Sequence, residues 1–175
     1  MNLVPVTDGD LPQIVDLMNR AFRGTKGWAT EDGYLVGDRI RLDDLRAEVT
    51  AKPDMLLVWR QDGRLLGCVS LEPAGEGPGP GGGVWFLGML TVEPDIQDQQ
   101  LGRRLLDACE ARVSAAGGTR IRMTVIWLRT ALIAWYARRG FSPTVETKPF
   151  PYGDDRWGTP TRDDLYFVVL EKLLA

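Results

Sequence analysis

LGMLTVEPDIQDQQLGRRLL (87–106) is the stretch from which this chain's architecture can be read. Its first residues close the apolar run VWFLGMLTV (84–92), which suits a buried strand. The strand runs into Val92-Glu93-Pro94, turns through Asp95 to Gln100, and enters a helix at Leu101-Gly102-Arg103-Arg104. Leu101, Leu105, Cys109 and Val113 then recur every four residues, one apolar helical stripe that Gly117-Gly118 ends. The first N–H groups of a helix lack internal partners and lie at the positive end of its dipole. A tight turn that aims several of them at one point forms an anion nest suited to a diphosphate. Arg103 and Arg104 add charge beside it.

Working outward, TRIRMTVIW (119–127) alternates as a half-buried strand, with Ile121, Met123, Val125 and Trp127 on one face. Leu128, Leu132, Trp135 and Tyr136 give a second helical stripe, ended by Gly140. LYFVVLEKL (165–173) is apolar on both faces, as an interior strand is. On the N-terminal side, NLVPVT (2–7) suits a short strand, and a helix is expected near 10–22 with Pro12 in its first turn. Residues 23–39 read as irregular and 41–51 as a second short helix. MLLVWR (55–60) and RLLGCVSL (64–71), joined by Gln61-Asp62-Gly63, form a hairpin signal. GEGPGPGGG (75–83) lacks the lysine and hydroxyl of a phosphate loop and reads as a mobile turn. The order βα(α)βββαβαβ implies a single α/β domain over 1–175, with helices on both faces of one mixed sheet.

The chain has 175 residues, 44% hydrophobic and 26% charged, near globular averages, so a single core without staples is expected. No apolar run approaches a membrane span, and MNLVPVTDGD lacks the features of a signal peptide. The two cysteines, Cys68 and Cys109, make no disulfide framework, so the chain reads as a cytoplasmic soluble protein. There is no histidine, which excludes Ser-His-Asp and Cys-His catalysis and the common zinc sites, and no metal is expected. Net charge is −3, yet residues 97–140 carry arginines 103, 104, 112, 120, 122, 129, 138 and 139 against three acids. This basic island suggests a bound anion, or arginines that solvate helix faces. Because the island coincides with the turn and the whole chain is acidic, nucleic acid is not an expected partner, nor is a membrane.

Val92-x-Pro94-x-x-Gln97-x-x-x-x-Gly102-Arg103 resembles the acyl-CoA signature of the GNAT superfamily of N-acetyltransferases. LRTALIAWYARRGF (128–141) resembles that family's helix ending in Tyr-x-x-x-Gly-Phe. The two motifs stand in the family's order, and the succession of elements agrees over nearly the whole chain. The resemblance implies a mostly antiparallel mixed sheet with a V-shaped splay between two parallel strands. It implies acetyl-CoA as cosubstrate, held by the strand edge Leu90, Thr91 and Val92, by the turn and helix start Gln97, Asp98, Gln99, Gln100, Leu101, Gly102, Arg103 and Arg104, and by Arg129. A primary amine, on a small molecule or a peptide, would then attack the thioester directly. Amides near Leu90 would stabilise the oxyanion, and Tyr136 would donate a proton to the departing thiolate. Read from the stripe it shares with Leu132 and Trp135 alone, Tyr136 is a core aromatic before it is a functional one.

Two departures from the family pattern stand out. Gln100 replaces a glycine, which costs roughly 1–2 kcal/mol if the backbone there is left-handed. Arg129 replaces an asparagine that usually contacts the pantetheine arm. These favour the second reading, a GNAT-like module that binds acyl-CoA without transferring the acyl group. The base stays open among Glu31, Glu72, Glu93 and water, with Glu93 expected to be solvated. Trp28 and Thr30, flanking Glu31, and Tyr152 are expected to line the acceptor site. The loops 23–39 and 148–164 would form its walls. Phe150, Pro151, Tyr152 and Trp157 make 148–164 too aromatic for a solvated linker; a homodimer contact is the alternative for them.

Overall fold

A computed structural model describes residues 1–25, 30–31, 33–75, 83–96 and 100–174. Seven strands share one sheet in the order β1-β3-β4-β5-β6-β9-β7, and β2 and β8 form a separate two-stranded ribbon. The pairings are antiparallel except β5 with β6. Four α-helices complete the mixed α/β fold among the described residues. The chain falls into two compact units, Met1–Ser70 with Met89–Ala108 and Tyr152–Thr161, and Leu71–Gly88 with Cys109–Pro151 and Arg162–Ala175.

In the first unit, β1 (Leu3–Pro5) leads into α1 (Leu11–Arg23). Leu11, Ile14, Leu17, Met18, Ala21 and Phe22 fall at helical spacing and are all buried, so one face of α1 carries the core. Leu11, Ile14, Leu17 and Met18 pack with Ile40, with Leu45 of α2 (Leu42–Ala51), with Leu56 and Val58 of β3 (Leu56–Gln61), and with Leu65 and Cys68 of β4 (Arg64–Pro73). Each fully buried aliphatic side chain of this kind contributes roughly 1.5–3 kcal/mol. Asp62 (φ 51°) and Gly63 (φ 78°) both adopt positive φ, the backbone of a type I′ turn, and close the expected hairpin with Gln61 opposite Arg64.

In the second unit, the first half of β5 (Val84–Val92, of which Val84–Gly88 lie in this unit) runs parallel to β6 (Arg120–Ile126) from Val84↔Arg120 to Phe86↔Arg122. That register stops at Phe86 although β5 continues to Val92 and β6 to Ile126. β6 pairs along its whole length with β9 (Tyr166–Leu173), and β9 is flanked on its other side by β7 (Ser142–Pro149). The interior position read from 165–173 is therefore correct, but β7 was not expected. It is an edge strand with almost every residue exposed, prolines at 143 and 149, and a register shift between Pro143 and Thr147. With no buried face it has no alternation to read, and its prolines suit only an edge.

Two further expectations change. Residues 23–39 are not wholly irregular, because β2 (Leu35–Val36) pairs with β8 (Thr159–Pro160). Three arginines of the basic island have internal partners. Arg122 Nε donates to Glu171 at 2.7 Å and Arg120 Nη1 at 3.2 Å, while the Arg139 guanidinium lies 3.6 Å from the Trp135 ring centre. The segment 76–82 of the glycine-rich turn lies outside the described residues. No described helix is long and apolar enough to cross a membrane.

Candidate active site

The second half of β5 is distorted before the turn begins. Met89 has φ +51° inside a strand, a left-handed backbone that costs a non-glycine residue about 1–2 kcal/mol. Its carbonyl accepts the Thr91 hydroxyl at 2.8 Å, and the Cys68 thiol lies 3.9 Å away. Thr91 is buried and Leu90 and Val92 are half-buried. The backbone of β4 comes so near that a Cβ on Gly67 would stand 2.8 Å from the Thr91 carbonyl, which explains the glycine there.

Glu93 follows, and here the expectation of a solvated carboxylate is overturned. Glu93 is 6% exposed because Arg20 of α1 covers it with both terminal nitrogens, at 2.6 and 3.1 Å. This pairing holds its carboxyl below the usual range, against the opposing effect of burial. A carboxylate so engaged is a poor proton acceptor.

Gln97, Asp98 and Gln99 lie outside the described residues. Beyond them Gln100 is left-handed (φ 50°), so the family's glycine position has kept glycine's conformation without its freedom. Its carbonyl caps the first turn of α3 (Leu101–Ala115) by accepting the Arg104 N–H at 3.0 Å. Leu101 is buried in the core and Gly102 half-buried. The two arginines diverge. Both are exposed, but Arg103 stands 3.9 Å from Asp107 while Arg104 stacks 4.8 Å from the Trp59 ring centre. Gln100→Gly is expected to raise stability by up to about 1 kcal/mol, the relief of left-handed strain less the extra chain entropy of glycine. A thermal melt checks it; a lowered midpoint would mean that the glutamine side chain stabilises the turn.

Tyr136 sits on α4 (Thr130–Ala137), whose first turn follows Arg129 (φ −83°, ψ 55°). The motif Tyr136-x-x-x-Gly140-Phe141 is a helix stop. Gly140, at φ +88°, reverses the chain, and the N–H groups of Arg139 and Phe141 both donate to the Tyr136 carbonyl at 2.9 and 3.2 Å. The reversal places the Phe141 ring 5.6 Å from Tyr136, edge-on, with Trp135 at 5.0 Å on the same ring. Tyr136 is 5% exposed, and burial pushes its phenol up to about 12 despite the nearby Arg129 and Arg139. It is thus fully protonated at neutral pH, a hydrogen-bond donor rather than a ready acid.

Glu31, Gly37 and Trp157 of the first unit are tied together through Arg23. Its Nη1 pairs with Glu31, its Nε donates to the Gly37 carbonyl and its Nη2 to the Trp157 carbonyl, both at 2.8 Å. Glu31 is buried under this contact, beside half-buried Thr30; Trp28 lies outside the described residues. Arg39 stands between the Phe22 and Trp157 rings, 5.1 and 5.0 Å from their centres. Thr161 ties back to the carbonyls of Tyr34 and Gly33. Tyr152 is 44% exposed. Glu72, near the end of β4, is half-buried and belongs to the second unit. Reading the sequence missed Arg20, Arg23 and Arg39. The first two sit one turn apart on α1, a spacing that marks a shared face but names no partner.

A strand distorted at Met89 thus leads into a turn and a helix start, and a separate helix is closed by Tyr136-x-x-x-Gly140-Phe141. Residues 11–141 match the model of the acetyltransferase (GNAT) family, and the chain belongs to that family of N-acetyltransferases. It is 33% identical over 113 residues to an IAA acetyltransferase of Azospirillum brasilense, covering 63% of this chain and 69% of that protein. It is 38% identical over 93 residues to an amino-acid acetyltransferase of Ralstonia nicotianae, covering 53% of this chain but only 19% of that longer protein. Among solved structures, a ribosomal-protein-alanine N-acetyltransferase from Brucella melitensis superposes with TM-score 0.67 at 18% identity, over 99% of this chain and 100% of that one. A Salmonella typhimurium structure with acetyl-CoA, described as its cofactor, gives 0.66 at 18%, over 100% and 94%. At such identities the structural likeness shows the fold.

Proposed function

We propose that this chain transfers acetyl from acetyl-CoA to a primary amine, on a small molecule or a peptide, by direct attack on the thioester. The observation that carries the reading is the end of β5 beyond Phe86, distorted at left-handed Met89 and leading toward the start of α3. Backbone groups of Leu90, Thr91 and Val92 would pair with the pantetheine arm as an added strand does. Gln97–Arg104 would hold the diphosphate on helix-start amides. An amide near Leu90 would stabilise the oxyanion, and the Tyr136 hydroxyl would donate to the departing sulfur. Arg129 would reach a phosphate or a carboxylate on the substrate.

Calorimetry with acetyl-CoA tests the site. Reversing charge at both Arg103 and Arg104 is expected to weaken binding several-fold, with most of the loss from exposed Arg103, because Arg104 is engaged on Trp59. Unchanged affinity would remove the assignment.

An alkyl amine near pKa 10.4 is only about 0.04% neutral at pH 7, so deprotonation is part of the problem. We propose a carboxylate acting through water as the relay, either Glu72 or Glu31, the latter also paired with Arg23. Thr30 and Tyr152 are retained as acceptor contacts. The expected profile is a kcat/KM that climbs toward about pH 8–9 without an inflection near 6.5. Glu72→Gln or Glu31→Gln should lower that limb, and Glu31→Gln should also act on stability. If neither alters rate or profile, the amine enters neutral without help from a carboxylate.

The second reading, an acyl-CoA-binding module without transfer, draws on left-handed Gln100 and on Arg129 in place of asparagine. Release of free thiol from acetyl-CoA with a panel of amines separates the two.

A further inference from the structure

The entry to the β5–α3 turn is held by one carboxylate. Glu93 takes the Arg20 guanidinium in a fork-on-fork pair at 2.6 and 3.1 Å, and its Oε1 also accepts the Asp95 N–H at 3.3 Å. The Glu93 N–H donates to the Leu66 carbonyl at 2.9 Å. Arg20 is itself anchored, its Nε donating to Asp16 at 2.7 Å and its Nη1 standing 3.5 Å from Asp95. Helix α1, strand β4 and the second residue of the turn therefore meet at Glu93. The pair borders an open cleft of about 510 Å³ lined by Pro12, Gln13, Asp16, Arg64 and Glu93, among others.

We propose that Arg20 and Glu93 are positioning residues for coenzyme A, their ion pair holding the start of the turn so that the amides of α3 stay aimed at the diphosphate. The proposal rests on the reading of that turn as the acyl-CoA site. Hydrogen bonds from backbone amides weaken steeply with misalignment, so a nest is only as good as the rigidity of its two ends. The far end here is strained, because Gln100 holds a left-handed backbone where a glycine would relax. The near end compensates through a pair that is rigid in two dimensions and electrically cancelled. A lone Glu93 carboxylate would repel the diphosphate, and a lone Arg20 would attract it without fixing anything.

That contrast gives the experiment opposite signs. Coenzyme A is titrated calorimetrically into the wild-type chain and into Arg20→Gln, Glu93→Gln, the double variant and Arg20→Lys, each first shown folded by circular dichroism. Positioning requires both single variants to raise Kd about 5–20-fold and the double variant to be no worse than the weaker single, since all remove one pair. Arg20→Lys, which keeps the charge but not the fork, should regain part of the loss. Amide exchange at Asp95 and Ile96 should quicken in both Gln variants without ligand. If Glu93→Gln binds as tightly as wild type or more tightly, or if the two losses add, or if exchange at Asp95 and Ile96 is unaltered, the positioning role is wrong. A wild-type chain that does not bind coenzyme A overturns the cofactor reading itself; wild-type binding with unaffected variants overturns the positioning role alone.

Discussion

Tyr136→Phe is expected to lower the turnover number about 10²-fold, the low end of what a positioned general acid contributes, while leaving the fold and acetyl-CoA affinity intact. The ring stays where Trp135 and Phe141 hold it, since both contacts are edge-on packing that phenylalanine reproduces. What disappears is one hydroxyl. With its phenol near 12, full transfer to a thiolate near 8.5 is uphill by about 3.5 units, roughly 5 kcal/mol. On the proposed reading the hydroxyl would work as a hydrogen bond that strengthens as charge grows on sulfur, with the proton following only as the thiol departs. No alkaline limb from this group should appear below about pH 11. The same shift has a stability signature. A phenol raised in the folded state stabilises it fully below the unfolded value near 10, and that contribution, about 3 kcal/mol, is lost as pH climbs from 10 to 12. The Phe variant should lack that part of the alkaline decline. Unaltered turnover at saturating substrate would return Tyr136 to the core.

The second large effect is on stability. Glu93→Ala should cost about 2–3 kcal/mol, below the 3–5 typical of a fully buried pair because the Arg20 side chain is 38% exposed and can turn to Asp16 and water. For a chain of this size that is a fall of roughly 5–10 °C in melting midpoint. Adding Arg20→Gln to Glu93→Ala should cost little more, because the pair is already gone. The pH dependence has a definite sign. The Glu93 carboxyl is held below its ordinary value, so its stabilisation is present above about pH 4.5 and is lost as pH falls below it. The Ala variant should therefore show a shallower acid decline. A melt within a degree of wild type at neutral pH would mean that the pair is too well solvated to matter.

What could be read from the sequence was whatever repeats or closes locally. The four-residue stripe from Leu101 to Val113, the alternation from Ile121 to Val125, and the Asp62-Gly63 turn each carry their own geometry. The stop at Gly140-Phe141 does so too, since its hydrogen bonds return to the Tyr136 and Ala137 carbonyls within the same few residues. The left-handed turn position could be located because the motif spacing picks out residue 100, even though glutamine stands there.

The remaining features depend on which segments meet. β7 has no buried face and so no pattern, and β2 and β8 are two-residue pairs too short to have one. Glu93 looked like a solvated turn residue, and only the fold brings it an arginine 73 positions earlier in the chain. Glu31 looked free to act as a base until α1 placed Arg23 against it. Periodicity and turn chemistry act over a few residues, so the sequence by itself determined the long elements with a buried face, their order and the two family motifs. A carboxylate's burial, partner and proton affinity arise from groups far away along the chain, and those only the tertiary structure decided.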